Sequence, residues 1–259
     1  GTWSNISDRA KVDLEIQRLF NIDFVRANSF KGTTIDDDNF SRRKSLSVLN
    51  TFGGELGRLF SKHPKLAKVL RTKAGRLELV SLSNRKHLIN DFDGWYDPNN
   101  KFIRLGIGDK ITKHRLQVGG GKNFGVAEGD FLGLYRHELG HFVHRELVSL
   151  KGFNGWQKTF KNKSEKWWKK NVSEYSSTSE FEAFSESFSA FTSPLYKKGM
   201  LPKDIESFMD GVVKGKNINP RTAPRPDTGS LFSRAKPAPA SSMPSEFLRD
   251  DSASFLTRV

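Results

Sequence analysis

An α+β class, with a small mixed sheet beside two long helices, is what this sequence predicts. Three observations carry the expectation. The stretch from Gly129–Asp130 to about Leu150 places Leu134, Leu139, Phe142 and Val143 at helical spacing. The stretch Ser179–Ala190 repeats Phe181, Phe184, Phe188 and, just beyond, Phe191 at intervals of three or four, with Pro194 to end it. Between Arg76 and Ser83, and again between Lys101 and Ile107, apolar residues alternate as a strand requires, so that Ile103, Leu105 and Ile107 share one face.

The remaining elements follow in order. Val12, Ile16 and Leu19 predict a helix over Ser7–Phe20, with Ser7 as its cap, before the polar connection "TTIDDDNFSRRK". "SLSVLNTFGGELGRLFSKHPKLAKVL" is helical material that should break near Gly53–Gly54 and at Pro64. Asp97-Pro98-Asn99-Asn100 is a turn leading into the strand Lys101–Ile107. "VGGGKNFG", Val118–Gly125, is a flexible loop; P-loop spacing is absent and no Ser or Thr follows Lys122. From about Asn217 the chain turns rich in Pro, Ala and Ser without periodicity. One domain over 1–215 and a disordered tail over 216–259 are therefore expected.

Bulk properties exclude several classes. At 259 residues the chain is long enough to bury its own core. Its apolar runs fall short of the ~20 residues of a membrane span, and "GTWSNISDRAK" lacks a signal-peptide core. A chain opening on Gly1 is expected to be an excised or processed piece. With no cysteine, any zinc must be held by His and carboxylate; a cysteine-free chain also suits threading through a secretion or ejection channel. The net charge of +14 favours anionic partners: nucleic acid, acidic membrane or acidic protein.

Within "LYRHELGHFVH", Leu134–His144, His137 and His141 stand four apart. On a helix such residues lie about 40° apart around the axis and about 6 Å along it, so both reach one cation. Glu138, about 100° from His137, sits beside that cation and is placed to take a proton from a metal-bound water. Gly140 leaves room for another element to approach. His144 lies a further turn along, too far to bind, and is expected near the site's periphery or exposed. Position 147 is leucine, so the longer three-histidine pattern is missing.

A third ligand is expected from Ser173–Phe191. Glu182 and Glu186 share a helical face beside the phenylalanine stripe, where carboxylates are costly to bury without a partner. Glu182 then completes the metal set, and Glu186 accepts a hydrogen bond from the free ring nitrogen of a ligand histidine. The alternative is an ordinary amphipathic helix with solvated glutamates.

The combination of "HELGH" with "SEFEAFSESF" resembles the catalytic domain of the anthrax toxin lethal factor family, which are gluzincin metalloproteases. The resemblance covers Leu132–Phe191. It implies a zincin-like metalloprotease domain with an active-site helix and a third-ligand helix, zinc on His137, His141 and Glu182, and Glu138 as general base. It also implies that Tyr175, seven positions before Glu182, hydrogen-bonds the oxyanion or leaving group. In that layout the Lys101–Ile107 strand forms the sheet edge to which an extended peptide adds. The N-terminal hundred residues and the tail match nothing in the family, so its substrates do not transfer.

Between the two site helices, Lys151–Lys170 carries seven lysines and one glutamate, with Trp156, Phe160 and Trp167 at helical spacing. It is either an amphipathic helix packed on the domain or a surface for an acidic substrate segment, anionic lipid or nucleic acid. The function expected is zinc-dependent endopeptidase activity on a protein or peptide, in a secreted or injected toxin or effector or a phage virion module. The competing expectation is a structural or nucleic-acid-binding protein of a virion or secretion machine, with a structural or vestigial zinc.

Overall fold

The computed structural model describes residues 22–24, 42–72, 75–81, 94–97, 102–107, 114–128 and 130–218. The expected Ser7–Phe20 helix, and the expected tail beyond Ile218, lie outside the described residues. Strand β1 is Ile22–Phe24, followed by helices α1 (Arg42–Lys62) and α2 (Pro64–Thr72). Strands β2 (Gly75–Ser81), β3 (Gly94–Asp97) and β4 (Phe102–Ile107) come next. The rest is helical: α3 (Phe131–Phe142), a π turn (Val143–Leu147), α4 (Leu150–Lys161), α5 (Glu165–Asn171), a 3-10 turn (Tyr175–Ser177), α6 (Glu180–Thr192) and α7 (Lys203–Val213). Among the described residues no helix is long and apolar enough to cross a membrane.

The expected α+β, zincin-like class is corrected to a predominantly helical fold. The expected small mixed sheet is not a layer of the described core. Extended backbone pairs in the order β1-β2-β4-β3, and Tyr96 and Ile103 join it to the helical core. Helix packs on helix everywhere else, through Leu56, Leu59, Val143, Trp156, Trp168, Phe184, Phe188, Ile205 and Met209. Alternation marks the strands, yet it is the helices that carry the fully buried Trp156, Trp168, Phe184 and Phe188 of the described core.

Three local expectations also change. Gly53 and Gly54 do not interrupt α1, which runs unbroken to Lys62. A mid-helix glycine costs about 1 kcal/mol, and burial of Leu56, Leu59 and Phe60 on the following turns outweighs that. The break falls at Pro64, which opens α2 where a missing N–H costs nothing. The α3 helix stops at Phe142 instead of continuing to Leu150, because the chain widens into a π turn closed by Val148 N–H to Val143 O at 2.9 Å. Val148 then pairs with Ile218, and Ser149 caps α4 by accepting from Gly152 N–H. The segment Lys216–Ile218 is thus held to the core, with Ser149 N–H donating to Asn217 O at 2.8 Å. Finally, β4 is not an edge: it lies between β2, parallel to it, and β3, antiparallel to it. The edge on that side is β3.

The packing that matters most is α3 against α6. A Cβ added at Gly140 would meet Ser185 Cα at 2.8 Å, so the helices touch at van der Waals distance there. Ser189 Oγ donates to Gly133 O at 2.9 Å further along. His137 and His141 flank Gly140 on one helix, and Glu182 and Glu186 flank Ser185 on the other. The close contact therefore brings the two pairs face to face.

Candidate metal centre

Helix α3 begins at Asp130 and presents His137 and His141 on the face toward α6, whose N-terminus is capped by Ser179 Oγ accepting from Glu182 N–H at 3.1 Å. That cap fixes Glu182 in the first turn. His137 Nε2 stands 3.0 Å from Glu182 Oε2 and 3.1 Å from His141 Nε2. His141 Nε2 is 3.2 Å from the same carboxylate oxygen. Three donor atoms thus form a nearly equilateral triangle. Zinc bonds of roughly 2.0–2.1 Å at tetrahedral angles demand donor separations of roughly 3.3 Å, and the triangle fits. Among the described residues this is the group of His, Asp and Glu that could hold a metal ion.

Glu186 lies against the other nitrogen of the His137 ring. Its Oε1 is 2.7 Å from His137 Nδ1. A proton on Nδ1 leaves the Nε2 lone pair pointing into the triangle. The other oxygen, Oε2, accepts from Val126 N–H and from Ser173 Oγ, both at 2.7 Å.

Glu138 is buried and stays out of the triangle. It accepts a hydrogen bond from the Tyr96 backbone N–H on β3. Burial pushes its carboxyl up, with His141 and His137 pulling the other way, and the net effect is upward. Glu182 is moved oppositely: burial raises it, but His141 and His137 outweigh burial and hold it well below the usual carboxylate range. For His137, burial works against the proton and the bonds to Glu182 and Glu186 outweigh burial, raising it well above 6.5. The pocket is short of positive charge, as a cation site is.

Tyr175 stacks on His137, ring centroids 5.6 Å apart, and on Phe124 at 5.2 Å. Its hydroxyl hydrogen-bonds Glu182; burial, then Glu182 and Glu138, push its pKa well above 10. Its N–H is held by Phe124 O at 2.7 Å. The structure therefore gathers His137, Glu138, His141, Tyr175, Glu182 and Glu186 into one site. His144 is the exception. It is neither exposed nor at the site's edge, but fully buried and stacked on Phe184 at 4.3 Å and Phe153 at 5.1 Å.

Reading the sequence missed three contributors. Ser173 and the Val126 N–H hold Glu186, and Gly94 lies against Glu138, where a Cβ would meet Oε1 at 2.9 Å. The "VGGGKNFG" loop also has a structural role. Gly119, Gly120 and Gly121 all adopt positive φ. Gly119 N–H and Gly120 N–H donate to Val172 O and Lys170 O, both at 2.9 Å, satisfying carbonyls at the end of α5. The run of glycines was the visible signal, but its partner was not.

In the Lys151–Lys170 segment the aromatics face inward. Trp156 and Trp168 are fully buried, and Trp156 Nε1 donates to Glu180 O at 2.8 Å. Lys151, Lys158, Lys161, Lys166 and Lys170 are exposed.

Compared with protein-family models, curated proteins and solved structures, the chain matches none.

Proposed function

We propose that this protein is a zinc-dependent metallopeptidase whose centre is His137, His141 and Glu182, with Glu138 as general base. The observation that carries the reading is the donor triangle of 3.0–3.2 Å with a buried carboxylate beside it that is not part of it. A structural site has no use for Glu138; a hydrolytic one requires it. Bound zinc supplies a Lewis acid that activates water near neutral pH and polarises a carbonyl. Glu138, raised by burial, is suited to take the water's proton and to return it to the leaving amine. Tyr175 keeps its proton and can donate it in a hydrogen bond to the developing oxyanion. Glu186 orients His137.

The exposed lysines of α4 and α5 favour a substrate or partner with an acidic segment. Nucleic-acid binding is less favoured, because stacking on bases needs exposed aromatic faces: Trp156 and Trp168 are fully buried, Phe160 packs on the core, and the ring of Trp167 is covered by Lys163 at 4.2 Å.

The test is zinc content together with cleavage of a peptide library, wild type against Glu138→Gln. One zinc per chain in both, with cleavage only in the wild type, is expected. Wild-type protein that neither contains nor takes up zinc overturns the reading. Zinc bound without cleavage by either form would leave a structural site instead.

A further inference from the structure

We propose that Ser173 is a positioning residue for the metal centre: its hydroxyl locks the rotation of Glu186, and through it the ring of His137, while tying both to the turn that carries Tyr175. The inference rests on the metal reading above. Glu186 Oε1 can serve His137 Nδ1 only if the carboxylate plane is fixed. Two donors fix it, both on Oε2 at 2.7 Å: the Val126 N–H and the Ser173 hydroxyl. The amide belongs to rigid backbone. The hydroxyl is the one donor of the pair that rotates, so its direction must itself be set.

Ser176 sets it. The Ser176 N–H donates to Ser173 Oγ at 3.1 Å, occupying a lone pair and turning the hydroxyl proton toward Glu186. In return Ser173 N–H donates to Ser176 Oγ at 3.2 Å, and Ser176 Oγ donates to Ser173 O at 2.6 Å. Both serines are fully buried. This closed box spans Glu174 and Tyr175, whose N–H groups are held by Asn123 O at 3.0 Å and Phe124 O at 2.7 Å. One side chain therefore joins the metal-orienting carboxylate to the segment bearing the candidate oxyanion donor. With Ser173 absent, Glu186 keeps a single donor on Oε2 and can pivot about it together with the ring it holds. His137 Nε2 then loses its fixed aim at Glu182 and His141.

The experiment measures zinc affinity of the full chain by competition with a chromogenic chelator, for wild type, Ser173→Ala, Ser173→Thr and Ser176→Ala. The visible spectrum of the cobalt(II)-loaded forms is recorded beside it. Ser173→Ala should weaken zinc binding roughly tenfold, the low end for an outer hydrogen-bond partner, and alter the cobalt bands. Ser173→Thr should recover most of the affinity, and Ser176→Ala should lose less than Ser173→Ala because the donor to Glu186 remains. Affinity for Ser173→Ala within twofold of wild type, with an unchanged cobalt spectrum, overturns the proposal. Equal loss in the Ala and Thr variants overturns it too, since the effect would then be packing. If the alanine variant does not fold, nuclear magnetic resonance of the zinc-loaded wild type decides: the Ser173 hydroxyl and His137 Nδ1 protons must exchange slowly, and rapid exchange of either rejects the role. A wild type that binds no zinc fails the proposed function itself, which separates the two outcomes.

Discussion

Arg136 and His137 are neighbours on α3, yet they enter charged clusters of opposite design. The Arg136 guanidinium, fully buried, bonds Glu55 at 2.8 Å and Asp130 at 3.0 Å. Glu55 also takes two bonds of 2.7 Å from Arg58, which donates a third to Thr192 O at the end of α6. Two arginines meet two carboxylates, and the cluster is neutral within itself. Around His137 the count does not close: Glu138, Glu182 and Glu186 face His137 and His141 with no lysine or arginine paired to them among the described residues. In the first cluster the formal charges balance between its own side chains; in the second the carboxylates outnumber any fixed positive charge, which suits a cation. The closed network ties α1, α3 and α6 together, so it holds in register the two helices on which the open one depends. The balanced cluster and the candidate metal site thus start from adjacent residues that point about 100° apart on one helix.

The sharpest way to break this contrast is to remove one member from each side. His141→Ala should abolish zinc binding and leave the melting temperature of the metal-free protein within a few degrees, since His141 is partly exposed and His137 still contacts Glu182. Arg136→Met should do the reverse. Removing one partner of a buried ion pair costs about 3–5 kcal/mol. The low end is expected, because Arg58 still holds Glu55 and the Arg115 N–H still donates to Asp130, and it is read as a fall in the denaturation midpoint. An Arg136→Met protein as stable as wild type would show that the network is not what holds α3 to its neighbours.

Within the open cluster, Tyr175→Phe keeps the stack on His137 and removes only the hydroxyl. If that hydroxyl serves the transition state, kcat should fall by a factor of roughly 10²–10³ with KM nearly unchanged. Peptide turnover measured across substrate concentration checks it, and an unchanged kcat rejects the role.

Acid should separate the clusters in order. Protons compete with zinc for His137. Burial lowers its imidazole, but Glu182 and Glu186 outweigh burial and hold it well above 6.5, so zinc should begin to leave as pH falls through neutrality. For Glu55, burial raises the carboxyl, but Arg58 and Arg136 outweigh it and hold the group below its ordinary 4.5. A depressed carboxyl contributes stability that is present above its unfolded value and lost as pH falls through the folded one. The fold should therefore weaken only below about pH 4.5, after the metal has gone. Zinc release and unfolding followed together along an acid titration give the result; coincident transitions would mean the two clusters are one unit.

How far the sequence reveals each cluster differs for a physical reason. The triad and Glu138 lie at helical spacings within two segments, and local periodicity is enough to align them. Arg136, by contrast, meets Glu55, which is remote in the chain, and nothing near "LYRHELGH" signals that partner. Ser173 was invisible for the same reason: a serine in a polar stretch becomes a donor to Glu186 only when α6 packs on α3. The class of fold was misread because alternation over Lys101–Ile107 is easy to see, whereas the burial of Trp156, Trp168, Phe184 and Phe188 between helices is a property of packing. Gly53 and Gly54 were misread because intrinsic propensity yields to burial on the next turn.

The smallest expected effect tests how closely β3 attends the open cluster. A Cβ at Gly94 would lie 2.9 Å from Glu138 Oε1 and 2.9 Å from Leu134 Cδ1. Both obstacles are ends of flexible side chains, so the backbone need not move and Gly94→Ala should fold. Glu138 must swing, however, and its bond from the Tyr96 N–H will weaken as it does. A general base displaced by a few tenths of an ångström loses alignment with the proton it takes. Zinc affinity should stay at the wild-type level, because no donor of the triangle touches Gly94, and the melting temperature should shift by only a degree or two. The measurable change should be a several-fold drop in kcat, larger for Gly94→Val than for Gly94→Ala. If zinc affinity falls as much as kcat, the disturbance has spread to the triangle, and Glu138 is not the only group at the site that β3 positions.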